Sequence, residues 1–293
     1  MASLKDLRNR INSVTKTRKI TSAMKMVAAA KLKRAQDQAE AARPYAERMG
    51  RMLASVAAKS KGSSSPLMVG TGKNDSHMIL LCTADRGLAG AFNGNLIKGA
   101  RSLKDSLEQE GKTVKMVAVG RRGRDAFRKE LGDRMLATMT DIDKPALDFS
   151  KAAEIANTVQ RLFDDGEFDA CTLIYSKFKS AISVEVTRNQ IIPFAAAADE
   201  SEASDEGANV SYEYEPEENE ILADLLPRNI GVQVFTALLE NAASEHGSRM
   251  TAMDNATRNA GDMINRLTLV YNRTRQAQIT KELIEIVSGA EAL

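Results

Sequence analysis

The sequence has no tryptophan, only two histidines and two cysteines, and aromatic residues make up 4% of its 293 residues. His77 and His246 lie far apart with no ligand spacing around them, which argues against a metal site. Cys82 and Cys171 lie in apolar runs, which predicts buried thiols rather than a disulfide and is typical of a reducing compartment. No apolar run reaches the roughly 18 residues of a membrane-spanning helix, and no signal peptide is visible, so we expect neither a membrane span nor export.

The formal net charge of +2 conceals a strong segregation of charge. Residues 1–61 contain 15 Lys or Arg against four Asp or Glu, a net charge of +11. Residues 195–220 contain ten acidic residues and no Lys or Arg. A strongly basic segment predicts an acidic partner, either nucleic acid or an acidic protein surface.

Both ends of the chain have the spacing of very long helices, over residues 3–60 and 218–288. At 1.5 Å per residue these helices span on the order of 85 and 105 Å. Because a helix of this kind needs a partner for its apolar stripe, we expect the two to pair as an antiparallel coiled coil. Pro44 lies inside the first pattern, and we expect it to kink or split the helix, while Pro227 interrupts the second pattern before it continues.

The apolar spacing of the N-terminal helix changes phase along the segment. Apolar residues recur first at Leu4, Leu7, Ile11, Val14, Ile20, Met24 and Val27, and later at Ala35, Ala39, Ala42, Ala46, Met49, Leu53 and Val56. Since the two sets are out of phase, they predict a stutter or two contact faces. In the C-terminal helix the steps of three and four are found at Met253, Ala256, Ala260, Ile264, Leu267, Tyr271 and Thr274.

Short β-branched runs alternate with helical patterns in the middle of the chain. The runs are residues 77–83, 113–120 and 170–176, with a possible edge strand at 182–187; the helical patterns are 94–111, 121–131 and 149–165. This alternation favours a mainly parallel sheet with crossover helices, a Rossmann-like α/β domain. The predicted organisation is a coiled-coil helix at 1–60, a linker at 61–75, the α/β domain at 76–194, an acidic linker and foot at 195–217, and a coiled-coil helix at 218–293.

Two glycine-containing stretches were considered as nucleotide sites. Residues 70–73 lack the first glycine and the final Ser or Thr of a phosphate loop, so a linker is favoured. Residues 85–94 lie between a strand and a helix, but their glycines do not have dinucleotide-binding spacing, so a tight turn is favoured. No nucleophile and base can be paired, and we expect no catalytic residue, no cofactor and no metal.

The apolar residues from Ala23 to Val27 are surrounded by unpaired cations. A helix with cationic and methionine-bearing surface outside its seam is typical of a helix that other proteins enclose.

Ile279 to Ala290 resembles the C-terminal signature of the gamma subunit of F-type ATP synthases. The resemblance extends over nearly the whole chain, through Lys19–Lys31, Arg43–Glu47, Asp85–Gly90, Tyr212–Pro216, Ser244–Glu245 and Arg249–Met253. Two positions depart from the family pattern: Ala89 replaces a frequent cysteine, and the acidic insert Asp199–Glu206 is longer than usual. The absence of a transit peptide favours a bacterial form.

The resemblance implies a central rotor shaft that couples ATP synthesis to proton (hydrogen ion) transport by a rotary mechanism. The chain would be a non-catalytic subunit, one copy per complex, at the cytoplasmic face of the bacterial inner membrane, as a peripheral protein that does not enter the bilayer. The implied partners are the ring of three alpha and three beta subunits, the epsilon subunit and the membrane ring of c subunits.

The resemblance also implies contact residues. Those implied for the alpha and beta ring are Met24, Lys25, Arg249, Arg275, Gln276, Thr280 and Glu282, and those implied for the c ring and epsilon are Tyr212 and Glu213. Two other functions stay open from the residues alone. One is a basic coiled-coil protein that binds nucleic acid or acts as a scaffold, and the other is a dinucleotide enzyme with helical arms.

Overall fold

The computed structural model describes residues 3–59, 65–144, 146–180, 183–194 and 218–291. Its helices are α1 (Leu4–Lys59), α2 (Pro66–Val69), α3 (Phe92–Gln109), α4 (Arg121–Leu131), α5 (Phe149–Asp164) and α6 (Glu218–Glu291). Its strands are β1 (Ser76–Cys82), β2 (Thr113–Val119), β3 (Met135–Met139), β4 (Ala170–Phe178) and β5 (Val184–Ile192).

The chain forms two compact units, and both terminal helices contribute to each of them. The first unit contains Met1–Ala30 and Arg249–Leu293, and the second contains Lys31–Ser248. The first unit is therefore a pair of helices, whereas the second contains the sheet.

The five strands form one sheet in the order β3-β2-β1-β4-β5. β1 is parallel to β2 and β4, β3 is parallel to β2, and only β5 runs antiparallel to its neighbour. The predicted mainly parallel sheet is confirmed. β3 was not predicted, and the predicted edge strand at 182–187 lies at Val184–Ile192, with residues 181 and 182 outside the described part of the chain.

Alternating strand residues build an apolar core on each face of the sheet. On one face, Met78 and Leu173 belong to a cluster that also includes Ile155 of α5 and Val234 of α6. On the other face, Ile79 and Met116 pack with residues of α3 and α4, such as Leu96 and Phe127. The second unit is thus a three-layer α/β/α domain in which α6 itself covers the sheet.

The predicted tight turn after β1 is present. Leu88 and Gly90 have positive φ angles of 64° and 56°. Both oxygens of Asp85 accept backbone hydrogen bonds, from the N–H of Arg121 (2.9 Å) and of Asp141 (2.8 Å). This carboxylate links the segments that follow β1, β2 and β3, where a pyrophosphate would otherwise lie in a dinucleotide fold. Negative charge at this place disfavours the dinucleotide interpretation.

α1 and α6 pair in antiparallel fashion, as predicted. In the first unit Arg8 contacts Tyr271 and Lys25 contacts Asp254. In the second unit Arg43 contacts Glu240, and Met49 and Leu53 cluster with Leu226. Residue numbers rise along one helix as they fall along the other in both units.

Neither proline splits its helix, so a break at Pro44 or Pro227 is wrong. α1 contains Pro44 and α6 contains Pro227 within their continuous spans. Pro44 is exposed, as is Glu40, whose carbonyl loses its helical donor. Water can therefore satisfy that carbonyl, while packing on either side of it keeps the helix intact.

The predicted stutter in α1 is also wrong, because every buried side chain of its described part, together with six half-buried ones, follows one heptad register. They are Leu4, Leu7, Ile11, Val14, Thr21, Lys25, Ala28, Leu32, Ala35, Ala39, Ala42, Ala46, Met49 and Leu53. Exposed Arg18 holds the one remaining position of this register. The apolar residues Ile20 and Val27, assigned to the seam from sequence, lie outside it.

Candidate partner-binding surface

The seam of the first unit is built from small and polar residues as well as apolar ones. Thr21 and Ala28 of α1 are buried, and so is Ala260 of α6. The hydroxyl of Thr257 donates a hydrogen bond to that of Thr21 at 2.8 Å. Such a seam lets the helices approach closely, although each residue buries little apolar area.

Near one end of this seam, the guanidinium group of Arg8 contacts the ring of Tyr271. Its guanidinium carbon lies 5.9 Å from the ring centroid, and Nη2 donates to the phenolic oxygen at 3.0 Å. A cation over an aromatic face combined with a hydrogen bond favours one orientation of the two helices.

Large apolar side chains of α1 point away from this seam. Ile20 is 59% exposed, Met26 65% and Val27 58%. Residues 3–30 also contain seven Lys or Arg and one Asp. An apolar patch with a cationic surround marks a surface that a partner covers.

The C-terminal end of α6 extends beyond the start of α1. α1 begins at Leu4, and Arg8 already faces Tyr271. From Arg275 to Ser288 every side chain is exposed. The large apolar side chains among them are Ile279, Leu283, Ile284, Ile286 and Val287, each between 48% and 67% exposed.

This end of α6 carries an apolar stripe without a described partner. Ile279, Leu283 and Ile286 follow the spacing of one helix face. In the described part of this end, the side-chain hydrogen bonds and ion pairs run within the helix, from Gln278 to Glu282 (3.0 Å) and from Lys281 to Glu285 (3.5 Å). Contacts between exposed side chains contribute little, so a helix of this kind needs a protein surface around it.

Over the described residues, no helix has the length and apolar character needed to cross a membrane. The same part of the chain contains no cluster of three His, Cys, Asp or Glu residues able to hold a metal ion.

Residues 3–293 match the family model described as ATP synthase. The chain is 57% identical to the ATP synthase gamma chain of Rhodospirillum rubrum and 58% identical to that of Chelativorans sp., with 100% of both chains covered in each case. This chain belongs to the ATP synthase gamma chain family.

Solved structures agree with this gamma-chain assignment. A chain in the central stalk and c-ring structure of the Tetrahymena thermophila mitochondrial ATP synthase is 27% identical, with a TM-score of 0.61 over 81% of this chain and 99% of that one. A chain of the Euglena gracilis mitochondrial ATP synthase rotor shares the fold, with a TM-score of 0.67 at 19% identity over 94% of this chain and 98% of that one.

The predicted ring-contact residues of the gamma chain lie in the first unit. Arg275, Gln276, Thr280 and Glu282 are exposed on the free end of α6, whereas Met24, Lys25 and Arg249 are half-buried. The structure therefore brings them together in one unit, although it does not place them in one patch. Tyr212 and Glu213 lie outside the described residues.

Lys25 has an internal partner that the sequence did not predict. Its Nζ lies 2.6 Å from Oδ1 of Asp254, and Arg258 binds the other oxygen of the same carboxylate. The hydrogen bond from Lys25, followed by that from Arg258, lowers the pKa of Asp254. Lys25 thus joins α1 to α6, and only part of its charge is available to another protein.

A buried polar group of the gamma chain was missed from sequence. β4 extends past its pairing with β1, which ends at Ile174. Glu240 accepts from the N–H of Phe178 at 2.9 Å, and Asn241 accepts from the N–H of Ser176 at 3.1 Å. Ser244 donates to the carbonyl of Ser176 at 2.9 Å.

These side chains of α6 make the hydrogen bonds that a neighbouring strand would otherwise make with the end of β4, since buried backbone groups need hydrogen bonds. Three polar residues within a largely apolar stretch of α6 were the available signal. Glu240 also binds Arg43 of α1 at 2.9 Å, so a single carboxylate joins α1, α6 and the sheet within the second unit.

Proposed function

We propose that this gamma chain is the central rotor shaft of a bacterial F-type ATP synthase and couples proton transport to ATP synthesis. The observation that carries the proposal is the free end of α6 with its exposed apolar stripe, in a chain related to gamma chains over its whole length. No catalytic group is needed for this role. The chain supplies stiffness and asymmetry, while its partners supply the chemistry.

The asymmetry has a physical basis in the first unit. One side presents Ile20, Met26 and Val27 among cations, whereas the free end of α6 presents an apolar stripe and charges of both signs. A shaft with different sides makes different contacts with each of three surrounding catalytic sites. Differential contacts of this kind shift each site toward a different conformation, which is coupling free energy in the allosteric sense.

We propose that the apolar stripe of α6 and the patch on α1 lie inside a ring of three alpha and three beta subunits. Full burial of a large apolar side chain contributes roughly 1.5–3 kcal/mol. Burial of the five large apolar side chains at the free end of α6 against the ring would therefore provide favourable free energy for assembly. Met24, Lys25, Arg249, Arg275, Gln276, Thr280 and Glu282 are the polar and sulfur contacts that we assign to this ring.

We further propose that the chain binds the epsilon subunit and the c ring through a foot region that includes Tyr212 and Glu213. The chain then lies at the cytoplasmic face of the bacterial inner membrane without entering it.

Co-expression with alpha and beta subunits of a relative tests the proposal. We expect one copy of this chain to purify with three of each subunit, and ATPase activity to need the assembly. A chain that purifies alone, or ATPase activity independent of it, contradicts the shaft assignment.

A variant of the free end of α6 tests whether its apolar stripe contributes to assembly. Replacing Ile279, Leu283 and Ile286 together with serine removes the apolar stripe, and we expect at least tenfold weaker assembly. The matched control is Lys281→Ser with Glu285→Ser, which changes the same helix without altering its net charge or its apolar stripe. Equal assembly of both variants refutes the role of the stripe.

A further inference from the structure

The outer edge of β3 has backbone groups that no described strand pairs. β3 is the last strand on its side of the sheet. The N–H of Gly120, which follows β2, donates to the carbonyl of Met139 at 2.8 Å. Met139 therefore faces β2, and by the alternation of strand residues the N–H and C=O of Thr138 point away from the sheet. Thr138 is exposed.

This edge has neither charge nor proline to protect it against pairing with other chains. Met135–Met139 contains no charged residue and no proline. The other edge strand, β5, carries Glu185 and Arg188, and a proline follows it. Edge strands of soluble proteins are guarded by charge, proline, short length or a bulge. β3 has only the last two, since it is five residues long and its register with β2 shifts between Met116 and Val117, so its backbone groups beyond the shift stay open to pairing.

A cationic groove runs along this edge. It has a volume of about 440 Å³ and is lined by Arg124, Arg128, Gly132 and the β3 residues from Met135 to Thr138. Among the described residues Arg128 has no carboxylate partner, whereas Arg124 binds only the adjacent Asp125. α4 as a whole carries five Arg or Lys residues against two acids.

We propose that the outer edge of β3 binds an extended, acidic segment of a partner protein as a sixth strand. Main-chain hydrogen bonds to Thr138 would hold the segment, and its carboxylates would pair with Arg128 and Arg124. Strand addition provides affinity through the backbone, while guanidinium–carboxylate pairs select for acidic sequence. That the bound segment turns with the chain rests on the proposed function; the binding itself does not.

A peptide of four Val-Glu repeats, labelled with a fluorophore, serves as the probe for the full chain. We expect the chain to bind it at least tenfold more tightly than a peptide of four Val-Lys repeats, as measured by fluorescence anisotropy. Arg124→Ala with Arg128→Ala should weaken binding at least tenfold. The control Lys98→Ala with Arg161→Ala also removes two positive charges, from exposed positions of α3 and α5, and should change binding less than twofold.

Hydrogen exchange separates strand addition from simple charge attraction. Saturating peptide should slow exchange of the Thr138 amide at least tenfold and leave the amide of Met139, which faces β2, unchanged. Equal binding of the two peptides, no effect of the paired arginine substitutions, or an unprotected Thr138 amide overturns the proposal.

Discussion

Removal of Arg43 tests the carboxylate that joins three elements of the second unit. The Glu240 side chain is only 6% exposed, and its two oxygens accept from Arg43 Nη2 and from the N–H of Phe178. The hydrogen bond with Glu240 is the largest of the effects that raise the pKa of Arg43. Arg43→Ala leaves a buried carboxylate with a single donor.

The size of the effect follows from the exposure of the two partners. Breaking a fully buried ion pair costs about 3–5 kcal/mol. Because the Arg43 side chain is 47% exposed, water reaches its side of the pair and screens the interaction. We therefore expect a cost of about 1–2 kcal/mol, well above the range of about 0.5 kcal/mol for ordinary surface substitutions.

Native-state hydrogen exchange of the Phe178 amide measures this cost, because that amide bonds directly to Glu240. Arg43→Ala should speed its exchange about tenfold, which corresponds to about 1.4 kcal/mol. In the Glu240→Gln background the same substitution should have less than a twofold effect, since no carboxylate is left unpaired.

The matched control is Arg48→Ala, an exposed arginine of the same helix. It should leave the exchange rate of the Phe178 amide unchanged. An equal effect of Arg43→Ala in both backgrounds, or an equal effect of Arg48→Ala, refutes the buried-pair reasoning.

Three further predictions concern titratable groups. Burial lowers the pKa of His77 to about 4. The stabilising contribution of the neutral imidazole is complete above pH 6.5, and the free energy of unfolding falls by about 3 kcal/mol as pH falls toward 4. The free energy of unfolding of His77→Gln, measured in urea at several pH values, should lack this dependence on pH. If it falls with pH as steeply as that of the unsubstituted chain, the prediction is wrong. Burial raises the pKa of Cys82 to about 12 and that of Cys171 still further, so neither thiol should react with maleimide at pH 8 until urea unfolds the chain; rapid labelling of the folded chain would disprove this. The lowered pKa of Asp254 stabilises the chain above the usual aspartate pKa, and this stabilisation is lost as pH falls through the lowered value. Melting temperatures of the chain and of Asp254→Asn should differ at pH 6 and converge in acid, whereas a gap that is independent of pH rules out the pairing with Lys25.

Much of the α/β domain was predictable because its signals are local. β1 is an apolar run that starts after polar residues, and α4 matches the predicted helix at both ends. β3 escaped prediction because Met, Leu and Ala favour helices, and this segment follows the last turns of α4 almost directly. Only its pairing with β2 makes it a strand.

The register of α1 was not predictable from apolar residues alone. Ile20 and Val27 suggested a seam, but the register passes instead through Arg18, Thr21 and Lys25. Lys25 can occupy a seam position because its aliphatic stem packs while its amine reaches Asp254. Ile20 and Val27 lie outside the seam and instead form part of the candidate partner-binding surface.

The polar group at Glu240 illustrates a different limit. Its role depends on β4 being longer than β1, a difference set by how the strands align and not by any local signal. The contact residues at Met24 and Arg275 came from family resemblance, and their partners stay a prediction.

Observation of single molecules tests the shaft assignment most directly. Alpha and beta subunits from Rhodospirillum rubrum would be assembled with this chain and fixed to a surface, with a bead attached to its α/β domain. ATP should turn the bead in one direction in steps of one third of a turn, and the serine variant of Ile279, Leu283 and Ile286 should turn with lower torque. A bead that stays still while the assembly hydrolyses ATP would contradict the account.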